Sequence, residues 1–224
     1  MIDRMGSEVK QGATPHAGAD GAHEREPGAI TDKRLLRGVR TRQIVLRKAV
    51  DTASLDGLDG VSFGGLAAAT GISKAGVQTL FRTKEKLQLA TVGCARELFT
   101  DAVVAPAREA AHGVSRLRAL IENWIVYAER PLFAGGCFWV ANLAEYDSRP
   151  GPIRDALERQ HREWTDVIAT ELRHAVAARE VGELDADLVA FQIDAVLCAT
   201  NTALRMGDDD ATDKVRRIVD GIIG

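Results

Sequence analysis

Lys33, Arg34, Arg37, Arg40 and Arg42 crowd into ten consecutive positions. Ammonium and guanidinium groups at this density suit a polyanion, whose phosphates they can track or whose minor groove they can enter. Further on, Ser62 and Ser73 each precede a short apolar repeat. A serine at that place accepts a hydrogen bond from the free N–H groups that open a helix. A third group is aromatic: Trp124, Tyr127, Phe133, Phe138, Trp139 and Trp164, with the polar Asn142, Glu145 and Gln192 among them. Aromatic walls with few polar groups suit a small, mostly apolar ligand. Taken singly, the same aromatic residues suit an ordinary core. Asn142 and Glu145, on an otherwise apolar segment, need either an internal partner or a ligand.

The elements that must position these groups are helical throughout, which predicts an all-α protein. Val45, Ala49, Thr52 and Ala53 form one stripe of a helix from about Thr41 to Leu55, with the basic residues as an arm ahead of it. Phe63, Leu66, Ala67 and Ala69 continue the helical period until Gly71, which suits the left-handed turn that ends helices. A second short helix follows Ser73 and runs to about Leu80, and a third opens at Thr83 and runs toward Pro106. The spacing from Ser62 to Leu80 is that of a helix-turn-helix, a unit whose second helix enters the DNA major groove. Beyond it, RLRALIENWIVYAE, a buried segment after Gly135 and Gly136, and two long helices from about Pro152 to Glu180 and from Asp185 to Met206 complete the body. The last of these carries Leu188, Phe191, Ala195, Cys198, Ala199 and Thr202, a surface that invites pairing with a second copy as a four-helix bundle.

Charge divides along the same lines. Residues 33–96 hold 12 basic and 4 acidic side chains, whereas residues 97–224 hold 14 and 22. A basic head on an acidic body is the footprint of a segment that binds double-stranded DNA joined to one that does not. With 46% apolar residues the 224-residue chain can bury a substantial core. No apolar run reaches the length of a membrane span and no signal-peptide pattern opens the chain, so the expectation is a cytoplasmic protein without membrane partners. Cys94, Cys137 and Cys198 lack metal or redox spacing, and His112, His161 and His174 show no nucleophile or ligand at fixed distance. No metal, cofactor or catalytic residue is expected, and the protein is not expected to be an enzyme. Residues 1–32, rich in Gly, Ala, His and Glu, read as a disordered tail.

From Val45 to Leu87 the chain resembles the DNA-binding head of the tetracycline-repressor-like (TetR/AcrR) family of bacterial transcription regulators. The resemblance rests on Ala49, Gly57, Ser62, Leu66-Ala67, Gly71-Ile72-Ser73-Lys74, Phe81 and Lys84-Glu85-Lys86-Leu87. It implies a DNA-binding domain over 33–82 and an effector-binding, dimerising body over 83–224. It also implies roles for single residues. Ser62 and Lys84 would hold phosphates, Ser73, Lys74, Ala75, Gln78 and Thr79 would face the major groove, and Arg40 and Arg42 would belong to the arm. The protein would then be a homodimeric repressor, paired through the two long C-terminal helices and released from its operator by an unidentified small-molecule effector. Two positions depart from the family pattern. Gln78 stands where a tyrosine is usual, offering an amide that can pair with adenine, and Ala53 stands where a large aromatic is usual. The competing expectation is a helical small-molecule sensor or scaffold that has lost DNA binding.

Overall fold

The computed structural model describes the chain from Pro27 to Ile223. Residues 1–26, most of the expected tail, lie outside the described residues. Those that are described contain helices and no strand.

Helix α1, Pro27–Gly60, is longer than its apolar stripe predicts. The basic segment expected as an arm is itself helical. Only Gly38 opposes it, at a cost of about 1 kcal/mol against alanine, while Leu, Arg and Lys favour helix. The described residues up to Gly38 and those from Val39 onward belong to two separate units. In the first, α1 carries exposed Leu35 and Leu36; everything below concerns the second. There α1 is broken at Gly57, whose φ of 74° lies in the left-handed region.

Helices α2, Phe63–Thr70, and α3, Lys74–Phe81, are joined by Gly71 at φ 70°. They pack on α1 through Val45, Ala49, Leu58, Leu66, Val77 and Phe81, all buried. Helix α4, Lys84–Phe99, passes into a wide π-helical turn, Thr100–Val104, and the short α5, Ala105–Ala107. Pro106 explains the change of winding. It has no N–H to give, and its ring crowds the carbonyl four residues back.

The body continues with α6, Val114–Glu129, α7, Phe138–Tyr146, α8, Pro152–Ala177, α9, Ala186–Arg205, and α10, Ala211–Ile223. The turn before α7 lies against α1 so closely that a Cβ on Gly135 would stand 1.9 Å from the Ser54 carbonyl oxygen. Glycine is required there by space. Ala53, fully buried, fits the same approach, because its carbonyl accepts a hydrogen bond from Asn142 of α7 at 3.1 Å. A larger side chain at the fully buried position 53 would have no open space to enter.

Candidate DNA-binding face and effector cavity

Three successive helices in the head start on the same local device. Ser62 Oγ accepts from Gly65 N–H at 3.1 Å, Ser73 Oγ from Gly76 N–H at 3.1 Å, and Thr83 Oγ1 from Lys86 N–H at 3.2 Å. Each closes within three residues, so it forms with the helix it opens. The caps fix α3 so that Val77 and Phe81 point into the core while Ser73, Lys74, Ala75, Gln78 and Thr79 are all exposed. Every residue expected to face the major groove therefore lies on the open side of α3. Ser62 and Lys84 are exposed at the starts of their helices. Lys84 Nζ donates to the Asp59 carbonyl at 2.8 Å, which ties α4 to the end of α1 and leaves two ammonium hydrogens for a phosphate. Arg40 is exposed, and the exposed Arg42 places its guanidinium 5.1 Å from the centroid of the Phe81 ring.

The body holds a cavity of about 360 Å³. Trp124, Trp139 and Trp164, the only tryptophans in the chain, all line it. Phe99 joins them from α4, edge-on to Trp139 and Trp164 with centroids 5.1 and 5.3 Å away. Thr100 and Val104 of the π turn complete that side. Tyr127, Phe133 and Phe138 are buried behind the wall as a chain of edge-to-face rings and are not part of the lining.

The three polar residues expected with these aromatics need correction. Gln192 is exposed on α9, away from the lining. Asn142 donates to the Ala53 and Phe138 carbonyls, at 3.1 and 2.7 Å. Glu145 accepts from Leu58 N–H at 2.9 Å and Asp59 N–H at 3.1 Å, replacing helical partners those amides lose at the Gly57 break. A Cβ on Gly57 would stand 2.4 Å from Glu145 Oε2, so both the turn and the carboxylate need glycine at this position.

Around the same point Tyr146 Oη donates to Asp59 Oδ1 at 3.0 Å, Arg149 donates to Asp59 Oδ2 at 2.6 Å, and Gln88 donates to the Leu58 carbonyl at 2.8 Å. The Arg149 hydrogen bond is the main influence holding the Asp59 carboxyl below the usual range. Burial and the Asp59 hydrogen bond push the Tyr146 phenol up to about 12, so it remains a donor. Helix α7 consequently has two working sides. Trp139 and Val140 stand in the cavity wall, while Asn142, Glu145 and Tyr146 hold the end of α1.

Other wall residues carry polar chemistry that the aromatic pattern did not flag. His161 of α8 pairs with Asp194 of α9 at 2.8 Å, and this partner raises the imidazole pKa. Gln160 and Asp194 are buried. A signal existed: Gln160 falls between Leu157 and Trp164, on the face where Ile153 and Ile168 are apolar. Burial pushes the Cys137 and Cys198 thiols up, so these wall residues behave as small apolar groups. Away from the cavity, His112, Glu171 and His174 offer three donor atoms within 4.8 Å of one another, a spacing that could admit a metal. Arg116, 3.8 Å from Glu171 and 3.0 Å from His112, already brings a positive charge to them. Glu171 also accepts from Gly113 N–H at 3.0 Å. The cluster works as a clasp on the start of α6.

Residues 113–219 match the family model of the tetracyclin repressor-like C-terminal domain. No curated protein matches the chain in sequence. Among solved structures, a TetR transcriptional regulator from Chloroflexus aurantiacus is 27% identical, over 80% of this chain and 93% of that one, with a TM-score of 0.71. A putative transcriptional regulator from Saccharomonospora viridis, in complex with choline, is 20% identical over 83% and 96%, with a TM-score of 0.70. AibR, in complex with isovaleryl coenzyme A and operator DNA, is 21% identical over 82% and 96%, with a TM-score of 0.66. At these identities the last two show a shared fold.

Proposed function

We propose that this chain, which belongs to the tetracycline-repressor-like family of transcriptional regulators, is a homodimeric repressor that leaves its operator when a small, mostly apolar effector fills the body cavity. The observation that carries the DNA-binding half is the open face of α3, where Ser73, Lys74, Ala75, Gln78 and Thr79 are exposed above buried Val77 and Phe81. Gln78 reads a base through its amide, Ser62 and Lys84 hold phosphates at the starts of α2 and α4, and Arg40 and Arg42 add charge beside them.

Support for the dimer comes from α9. Leu188 and Phe191 are 55% and 68% exposed, and exposed Ala195 and Ala199 extend the stripe at helical spacing. A second copy laid against α8 and α9 would cover it, and two heads would then meet two half-sites. Effector release follows from the two sides of α7 and from α4, whose end lies in the cavity wall. A ligand that binds one arrangement of that wall more tightly shifts the population of head positions. AibR and the choline-bound regulator share the fold but hold unlike molecules, so the effector of this chain must be inferred from its own wall.

Selection of DNA from a random pool, followed by titration at several salt concentrations, tests the reading. A two-fold symmetric site should emerge. Gln78→Ala should cost about 1–3 kcal/mol at one base position, while Lys84→Ala should weaken all sites and lower the salt slope by about one. A pool that yields no enriched site would instead favour a sensor or scaffold without DNA binding.

A further inference from the structure

We infer that the cavity is built for an uncharged ligand, an apolar or aromatic body bearing one group that both donates and accepts a hydrogen bond, such as a carboxamide, lactam or alcohol. The inference rests on the effector reading above and specifies its chemistry.

Charge comes first. The ionisable wall residues are Arg96, Arg108, His161, Glu163, Asp166 and Asp194. With His161 protonated they are three of each sign. Four are committed to each other across the wall: Arg96 Nε to Glu163 at 2.7 Å and His161 Nε2 to Asp194 at 2.8 Å. A cationic ligand would have to compete with His161 for Asp194, and an anionic one with Glu163 for Arg96. Arg108 and Asp166, the two wall charges outside these pairs, are exposed to solvent, as is Arg96. The buried part of the wall, at Gln160 and Asp194, therefore offers an ionic ligand no unanswered charge, and an ion placed there would still lose hydration.

Hydrogen bonding is the second line. Trp139 Nε1 and Gln160 Oε1 are buried polar atoms in wall residues that are 8% and 9% exposed, and neither has a partner among the described residues. One is a donor only and the other an acceptor, and buried atoms of this kind are normally satisfied. Both atoms are covered in this structure, so a ligand group with an acceptor and a donor would complete them once the Trp139 and Gln160 side chains turn toward the cavity. Most of the remaining surface is ring, aliphatic or thiol, and the volume of about 360 Å³ suits a compact molecule with one ring system.

The test compares four molecules of one shape, 4-tert-butylbenzamide, 4-tert-butylbenzoate, 4-tert-butylbenzyltrimethylammonium and 4-tert-butyltoluene, by calorimetry on the full chain at pH 7.5. Tryptophan emission reports occupancy, because every tryptophan lines the cavity. The amide should bind at least about tenfold tighter than either ion. Its advantage over the hydrocarbon should shrink about fivefold in Trp139→Phe and in Gln160→Leu, the loss expected for one hydrogen bond. An ion that binds as tightly as the amide overturns the inference, as does failure of all four to bind or an amide advantage unchanged in both variants. The panel on the unaltered protein decides even if a variant does not fold. If the amide binds as expected but leaves operator affinity unchanged, the ligand class stands and the effector reading falls.

Discussion

The head and the body satisfy their buried and terminal polar groups over different distances along the chain. In the head, Ser62, Ser73 and Thr83 each close on an amide three residues ahead. In the body Asp185 caps α9 in the same local way, but the groups that join its elements find partners far apart in sequence. Glu145 reaches Leu58 across 87 positions, Asn142 reaches Ala53 across 89, Asn201 accepts from Cys137 N–H across 64, and Glu171 accepts from Gly113 N–H across 58. A local cap forms with its helix and asks nothing of the rest of the chain. A distant one forms only when two elements have docked, so its energy reports on that docking. The head is therefore a unit of stable local shape, and the fastening that holds it lies in the segment from Phe133 to Arg149.

The strongest way to break this contrast is with glycine. Gly135→Ala forces a Cβ into the Ser54 carbonyl and should cost about 3 kcal/mol, seen as a lower thermal midpoint. Gly71→Ala meets nothing within 4 Å and should cost only the left-handed strain of about 1–2 kcal/mol. Equal losses would remove the distinction.

Next come the caps. Glu145→Ala strips two amides at the Gly57 break and should lower stability by about 2–3 kcal/mol in urea unfolding. Ser62→Ala should cost about 1 kcal/mol. Glu145→Ala should also weaken operator binding, although Glu145 is on α7 rather than the DNA face; an unchanged operator affinity would show that the fastening does not position the head.

The smallest effects are those of pH, and they run in opposite directions. Burial, the largest single influence, pushes the Glu171 carboxyl up, but Gly113 N–H, His112 and His174 more than reverse it and leave it below the ordinary 4.5. Its contribution is complete above that value and lost as pH falls through the depressed one. His161 is raised above 6.5 by Asp194, so its contribution is complete below 6.5 and lost as pH rises through the raised value. Thermal midpoints against pH should show an acid step absent in Glu171→Gln and an alkaline step absent in Asp194→Asn. A profile unchanged by either substitution would detach these groups from stability.

The difference in range also explains what could be read from sequence. Ser62, Gly71 and Ser73 were legible as caps and turn because cause and effect lie within a few residues, and the exposed face of α3 follows from the spacing of Val77 and Phe81. The three tryptophans were recognisable as a group by type. Glu145 and Asn142 were visible as polar residues on an apolar segment, but their partners on α1 are set by docking, which no local pattern records. Gln192 neighbours Phe191 in sequence yet stands on the outward side of α9 with it. Helix α1 begins well before its apolar stripe, because Leu, Arg and Lys sustain helix where no packed face is needed.

The π turn at Thr100–Val104 gives α4 a mechanical character. Helix α4, with 16 residues, is about 24 Å long, with Lys84 at one end and the wall of the cavity at the other. A rod of that length acts as a lever with Lys84 at its far end. Tilting it by about 5° about the cavity end moves Lys84 by about 2 Å, by the geometry of a helix rising 1.5 Å per residue. That displacement is most of a hydrogen-bond length. If the proposed effector tilts α4 by this much from the cavity end, Lys84 should shift by that distance, which is enough to break the phosphate contact proposed for it.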